Sequence, residues 1–128
     1  MTSRWKVFQS EQLARYNEVP LTNVPLFVEE DFSGCLLGFL PGQGLPVHQH
    51  DHEHEVFDVL QGYGTIYVDD EAVELGAGSV IFVPAGVRHG FKHTSGDRGL
   101  IRATIHQRVY ARHAIKRAID KRLGRVRR

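Results

Sequence analysis

Residues 46–62 read PVHQHDHEHEVFDVLQG, with a histidine at every second position from 48 to 54 and Glu55 directly after the last. On one straight strand the four imidazoles would share a face, because side chains alternate with period two. His48 and His54 would then lie about 20 Å apart at about 3.3 Å per residue, too far for one ion. His48 and His50, about 7 Å apart at Cα on the same rise, can converge on a single ion. The polar stretch QHDHEH favours a loop, after which EVFDVL resumes alternation, with Glu55, Phe57 and Val59 on one face and Val56, Asp58 and Leu60 on the other. A carboxylate opening an apolar face is costly to bury unless it is paired, hydrogen-bonded or bound to a cation. Two histidines and Glu55 therefore begin a mixed nitrogen and oxygen site. Taken alone, the tract fits a solvated polar loop equally well.

A second segment, GSVIFVPAGVRHGFKH over residues 78–93, offers a further ligand. SVIFVP is an apolar run, PAGVR bends the chain, and His89 opens the next extended stretch much as Glu55 opens its own. His93 follows four residues later, on the same face if that stretch is a strand.

These two segments resemble the paired motifs of the cupins. The first, G(x)5HxH(x)4E(x)6G, is matched by Gly42, His48, His50, Glu55 and Gly62; the second, G(x)5PxG(x)2H(x)3N, by Gly78, Pro84, Gly86 and His89. The departure is His93, where the family usually carries asparagine. The resemblance implies an all-β fold, a jelly-roll β-barrel, with His48, His50, Glu55 and His89 projecting inward onto one divalent metal ion per chain. Iron or manganese comes first by the carboxylate and the open positions, and zinc, nickel and copper share the same ligands in the family. Gly42, Gly62, Gly78 and Gly86 would take turn conformations closed to residues with a Cβ, and Pro84 would fix φ ahead of the turn presenting His89. His93 is the candidate catalytic residue, an inward imidazole able to act as general acid or base; it also reads as a fifth metal neighbour or as a hydrogen-bonded replacement for the asparagine. His52 and His54 belong to the barrel mouth, solvated or supporting the ligands. Tyr63, Tyr67, Arg102 and His106 are wall or surface positions within reach of a cavity, and Phe57, Val59, Ile66 and Phe82 are expected to line a dry pocket.

The punctuation between residues 33 and 106 agrees with this fold. Short apolar or alternating runs are separated by PGQGLP, QGYG, DDE, GAG, PAGVR and SGDRG, which is the pattern of an antiparallel sandwich or barrel. The organisation expected is an N-terminal arm over residues 1–31, a barrel over 32–106 and a basic C-terminal tail over 107–128. Prolines in NEVPLTNVPLF keep the arm out of a central strand, and such an arm can lie along a neighbouring subunit. In the tail, Ala111, Ile115, Ala118, Ile119 and Leu123 recur at spacings of three and four, which predicts an amphipathic α-helix stopping near Gly124.

Length and charge bound the rest. With 128 residues, 41% hydrophobic and 24% charged, the chain is a single folded domain. The formal net charge of +1 hides an asymmetry: residues 1–106 carry 7 basic against 14 acidic residues, and residues 107–128 carry 9 basic residues against Asp120. The tail is expected to pack on its own acidic body or a partner's rather than on nucleic acid, because its apolar stripe is narrow and alanine-rich and the body is acidic. Cys35, the single cysteine, sits in an apolar run and reads as a buried inert thiol. No apolar leader and no run of about 18 apolar residues occurs, so a cytoplasmic protein away from membranes is expected. A homodimer is expected as well.

The function implied is that of a metal-dependent enzyme acting on a small organic molecule, with dioxygenase chemistry first and isomerase or lyase chemistry beside it. The alternative is a non-catalytic metal-binding cupin serving as a small-molecule sensor or interaction module. Substrate and reaction are beyond the sequence, because one fold carries many chemistries.

Overall fold

The structure, a computed structural model, describes residues 4–19, 21–107, 122 and 124. The helix expected over residues 107–128 falls outside the described residues apart from Gln107, Arg122 and Gly124. Among the described residues the chain forms one short helix, α1 (Ser10–Leu13), and the strands β1 (Thr22–Val28), β2 (Phe32–Phe39), β3 (Gly44–His48), β4 (Glu53–Gln61), β5 (Tyr63–Val68), β6 (Glu71–Gly76), β7 (Val80–Val83), β8 (His89–His93) and β9 (Gly99–Gln107). No helix among these residues is long and apolar enough to cross a membrane.

Two antiparallel sheets face each other. One has the order β1-β2-β9-β4-β7 and the other β3-β8-β5-β6. Leu37, Phe39, Phe57, Val59, Val83 and Ile101 from the first sheet meet Ile66, Leu75 and Phe91 from the second in one buried cluster. Each such side chain contributes about 1.5–3 kcal/mol when taken out of water, so the space between the sheets is the stabilising core.

Alternation on β4 runs as expected: Glu55, Phe57 and Val59 are buried, while Leu60 is exposed. The strand begins at Glu53, two residues before the expected start at Glu55. On β7 the expected inward placement of Phe82 is corrected. Val83 points inward at 1% exposure, so its neighbour Phe82 points outward at 58%. SVIFVP is apolar on both parities, and hydrophobicity therefore carries no sign of which face is which.

The segment read as an arm supplies β1, which pairs with β2 of the same chain at the edge of the five-stranded sheet. Pro25 sits on that edge strand, where a missing N–H costs no ladder bond. Gln43 ties the segment down: its side-chain amide donates to the Asn17 carbonyl at 2.7 Å, and its Oε1 accepts from the Leu40 N–H at 2.8 Å.

Candidate metal centre

Register brings the two motifs together. His48, the last residue of β3, pairs with His89, the first of β8. Glu55 on β4 lies between Val83 of β7 and Ile105 of β9 in the opposite sheet, its side chain turned inward at 5% exposure. His50 sits in the connection from β3 to β4, two residues after His48. One ligand atom from each of His48, His50, Glu55 and His89 lies within 4.8 Å of the others. Donors about 2.0–2.2 Å from an ion stand up to about 4.2 Å apart, so closing on a metal needs shifts of a fraction of an ångström.

The rings are aimed by backbone carbonyls two residues upstream. His48 Nδ1 donates to the Pro46 carbonyl at 2.7 Å, and His89 Nδ1 donates to the Val87 carbonyl at 3.0 Å. A carbonyl can only accept, so both Nδ1 atoms carry the proton and both Nε2 atoms face the site. His89 Nε2 is 2.9 Å from Glu55 Oε1, and His50 Nε2 is 3.6 Å from the same oxygen. The four donors thus point at one another across a small gap. This group could bind a metal ion, with one carboxylate charge and three neutral imidazoles suited to a divalent cation.

The turn that delivers His89 is held to the loop that delivers His50. The Gly86 N–H donates to the His50 carbonyl at 2.8 Å, and Gly86 has φ +86°, a conformation that disfavours any side chain. Gly42, Gly62 and Gly78 also have positive φ, as their turn positions led one to expect. Beneath the group, Phe57 packs its ring edge against His89 at 5.6 Å. The cavity below, bounded by Leu37, Phe39, Phe57 and Phe91, is about 10 Å³, room for about one water. The site is therefore closed from below and open on the side of the partly exposed His48 and His50.

The family model of the Cupin domain matches residues 35–101. The chain belongs to the cupin family. Segments of this cupin are 44% identical over 45 residues to an uncharacterized protein of Streptomyces coelicolor, covering 35% of this chain and 43% of that one. They are 32% identical over 54 residues to an oxalate-binding protein of Thermotoga maritima, covering 42% of this chain and 45% of that one. The matches thus span under half the length of these curated relatives. The crystal structure of TT1209 from Thermus thermophilus superposes with a TM-score of 0.77 at 30% identity, covering 82% of this chain and all of that one.

Of the three readings of His93, the structure does not bring it beside the metal as a fifth neighbour or as general acid or base, and it agrees with the third, a hydrogen-bonded side chain in the place of the asparagine. It lies four residues from His89 along β8, about 13 Å at strand rise, and is 1% exposed. Its Nε2–H donates to the Asp97 carbonyl, Ser95 Oγ lies 3.0 Å from the same nitrogen, and its ring stacks on Phe39 at 6.0 Å. Cβ atoms added at Gly99 and Gly62 would stand 2.5 and 2.9 Å from that ring. Both neighbouring positions lack side chains, which leaves room for the imidazole.

The remaining positions divide cleanly. His52 and His106 are exposed, the latter 4.5 Å from the Phe32 ring. Tyr63 and Tyr67 are exposed, and Arg102 pairs with Asp58 at 3.0 Å on the outer face, so none lines a cavity with the ligands. Cys35 is half-buried, and burial followed by the Glu55 charge pushes its thiol pKa up, in keeping with an inert thiol. The two carbonyls of Pro46 and Val87 were not legible beforehand, since backbone acceptors leave no mark in residue type.

His89 makes stability and metal affinity depend on pH with opposite signs. Burial opposes its charged form, yet the bonds to Glu55 and the Val87 carbonyl and the Glu55 charge outweigh it, and its pKa is raised. A raised folded pKa stabilises the metal-free protein fully below the unfolded value of about 6.5, and this contribution is lost as pH rises through the folded value. In chelator, the denaturant midpoint is expected to fall from pH 6 to pH 8.5 through this contribution, and His89→Gln is expected to remove that part of the fall. Affinity for a divalent ion is expected to rise over the same range, because the ion must displace the proton.

Proposed function

We propose that this cupin is a metal-dependent enzyme acting on a small organic molecule that presents oxygen atoms to the ion. The observation that supports it most is the asymmetry of the site: Glu55 and His89 are buried over a filled core, while His48 and His50 open to solvent. A bound divalent ion supplies a Lewis acid for a carbonyl or enol oxygen, or a redox centre if it is iron.

The protein's own groups do the positioning. His48, His50 and His89 hold the ion with neutral nitrogens, and Glu55 supplies one negative charge, leaving a net positive centre that attracts an anionic or enolic substrate. The filled interior keeps that substrate at the mouth. Glu53, with Oε1 3.8 Å from His50 Nδ1, is a partly exposed carboxylate beside the ligands.

A second reading, a binding protein without turnover, is favoured by the similarity to the Thermotoga maritima oxalate-binding protein. One experiment addresses both. The protein is loaded in turn with iron(II), manganese, zinc, nickel and copper, and each form is titrated with small carboxylates and enols while product and oxygen consumption are followed. The enzyme reading expects turnover that needs the ion and disappears in His89→Ala. Metal-dependent binding without turnover would establish the second reading, and binding indifferent to metal would remove both.

A further inference from the structure

His54 lies one residue before Glu55 on β4, so alternation turns it to the outer face and away from the ion. Its Nδ1 is nevertheless engaged, accepting the Ala85 N–H at 3.0 Å. An amide N–H can only donate, so this Nδ1 is bare and the proton of the neutral ring sits on Nε2. His54 is therefore the opposite tautomer to His48 and His89.

Ala85 stands within the turn that carries the chain from β7 to β8. The turn is closed by the Val87 N–H donating to the Pro84 carbonyl at 3.2 Å, and Gly86 bonds the His50 carbonyl. Its Val87 carbonyl receives the His89 ring proton. Two consecutive amides of the turn, those of Ala85 and Gly86, are thus gripped by residues of the first motif, one through a side chain and one through backbone. The backbone grip survives any substitution that keeps the loop, whereas the other depends on the identity of residue 54. The Phe82 ring, 5.6 Å from His54, limits how the imidazole can turn away.

We infer that His54 is a positioning residue of the metal centre: its Nδ1 fixes the turn that sets the His89 ring against Glu55. This rests on the reading of His48, His50, Glu55 and His89 as metal ligands. Losing a group that orients a ligand costs about 10–100-fold in metal affinity.

The test compares zinc affinity, by competition with a chromophoric chelator, in the wild type, His54→Leu and His54→Asn. Leucine fills similar volume without an acceptor, and asparagine returns an acceptor oxygen near the place of Nδ1. His54→Leu is expected to weaken zinc binding by about tenfold or more, and His54→Asn to recover most of the loss. Unchanged affinity in the leucine variant overturns the inference, as does an equal loss in both variants, which would assign the effect to packing on Phe82. Ring nitrogen resonances of the zinc-loaded wild type decide the matter without any variant: the Nε2–H tautomer at His54 supports it, and Nδ1–H overturns it. A wild type that binds no zinc would instead remove the metal reading, a result distinct from tight wild-type binding with an indifferent leucine variant.

Discussion

Replacing His89 with alanine is expected to lower affinity for a divalent ion by more than about 100-fold and to destabilise the metal-free protein by about 3–5 kcal/mol. The first effect follows from losing a donor outright, which exceeds the 10–100-fold typical of groups that only orient donors. The second follows from Glu55. Its Oε1 sits 2.9 Å from His89 Nε2 in a setting where the two residues are 5% and 2% exposed, and removing one partner of a buried pair strands the other charge at that cost. Chelator competition reads the affinity, and denaturant unfolding in chelator reads the stability. Adding Glu55→Gln to His89→Ala should recover part of the stability and none of the affinity, since the stranded charge is gone but a ligand is still missing. A single variant as stable as wild type would mean that the pair does not form.

His93→Ala should separate stability from metal binding. Truncating a buried ring costs about 3 kcal/mol through lost packing and the hole left behind, and the Asp97 carbonyl loses its donor. Zinc affinity of the folded variant should stay close to that of wild type, because His93 and His89 stand about 13 Å apart along β8. Unfolding and chelator competition on one preparation measure both. A large loss of affinity in a variant that remains folded would place His93 back in the site.

The positions of the ligands were legible because they are bound to covalent spacing. Glycines at 42, 62, 78 and 86 mark turns by what they lack, and the histidines and Glu55 lie at fixed distances from those turns. β1 and β3 were harder to foresee, since prolines interrupt both and their pairing partners are distant in sequence. Phe82 was misplaced because an apolar run has no polar residue to declare its parity. For His93 the reading as a hydrogen-bonded replacement agrees with the structure, and the general acid or base reading fails for a different reason. Its face was right, but facing inward says nothing of depth, and the second motif runs from the mouth at His89 to the far end of the core. His54 shows the converse, a residue on the wrong face for ligation whose hydrogen bond to Ala85 depends on folding two segments 31 residues apart.

The most direct test is a crystal structure of protein grown with a divalent metal and measured at that metal's absorption edge. One strong anomalous peak per chain is expected, about 2.0–2.2 Å from Nε2 of His48, His50 and His89 and from Glu55 Oε1. A peak held by His52 or His106 instead, or none where these four side chains meet, would contradict it.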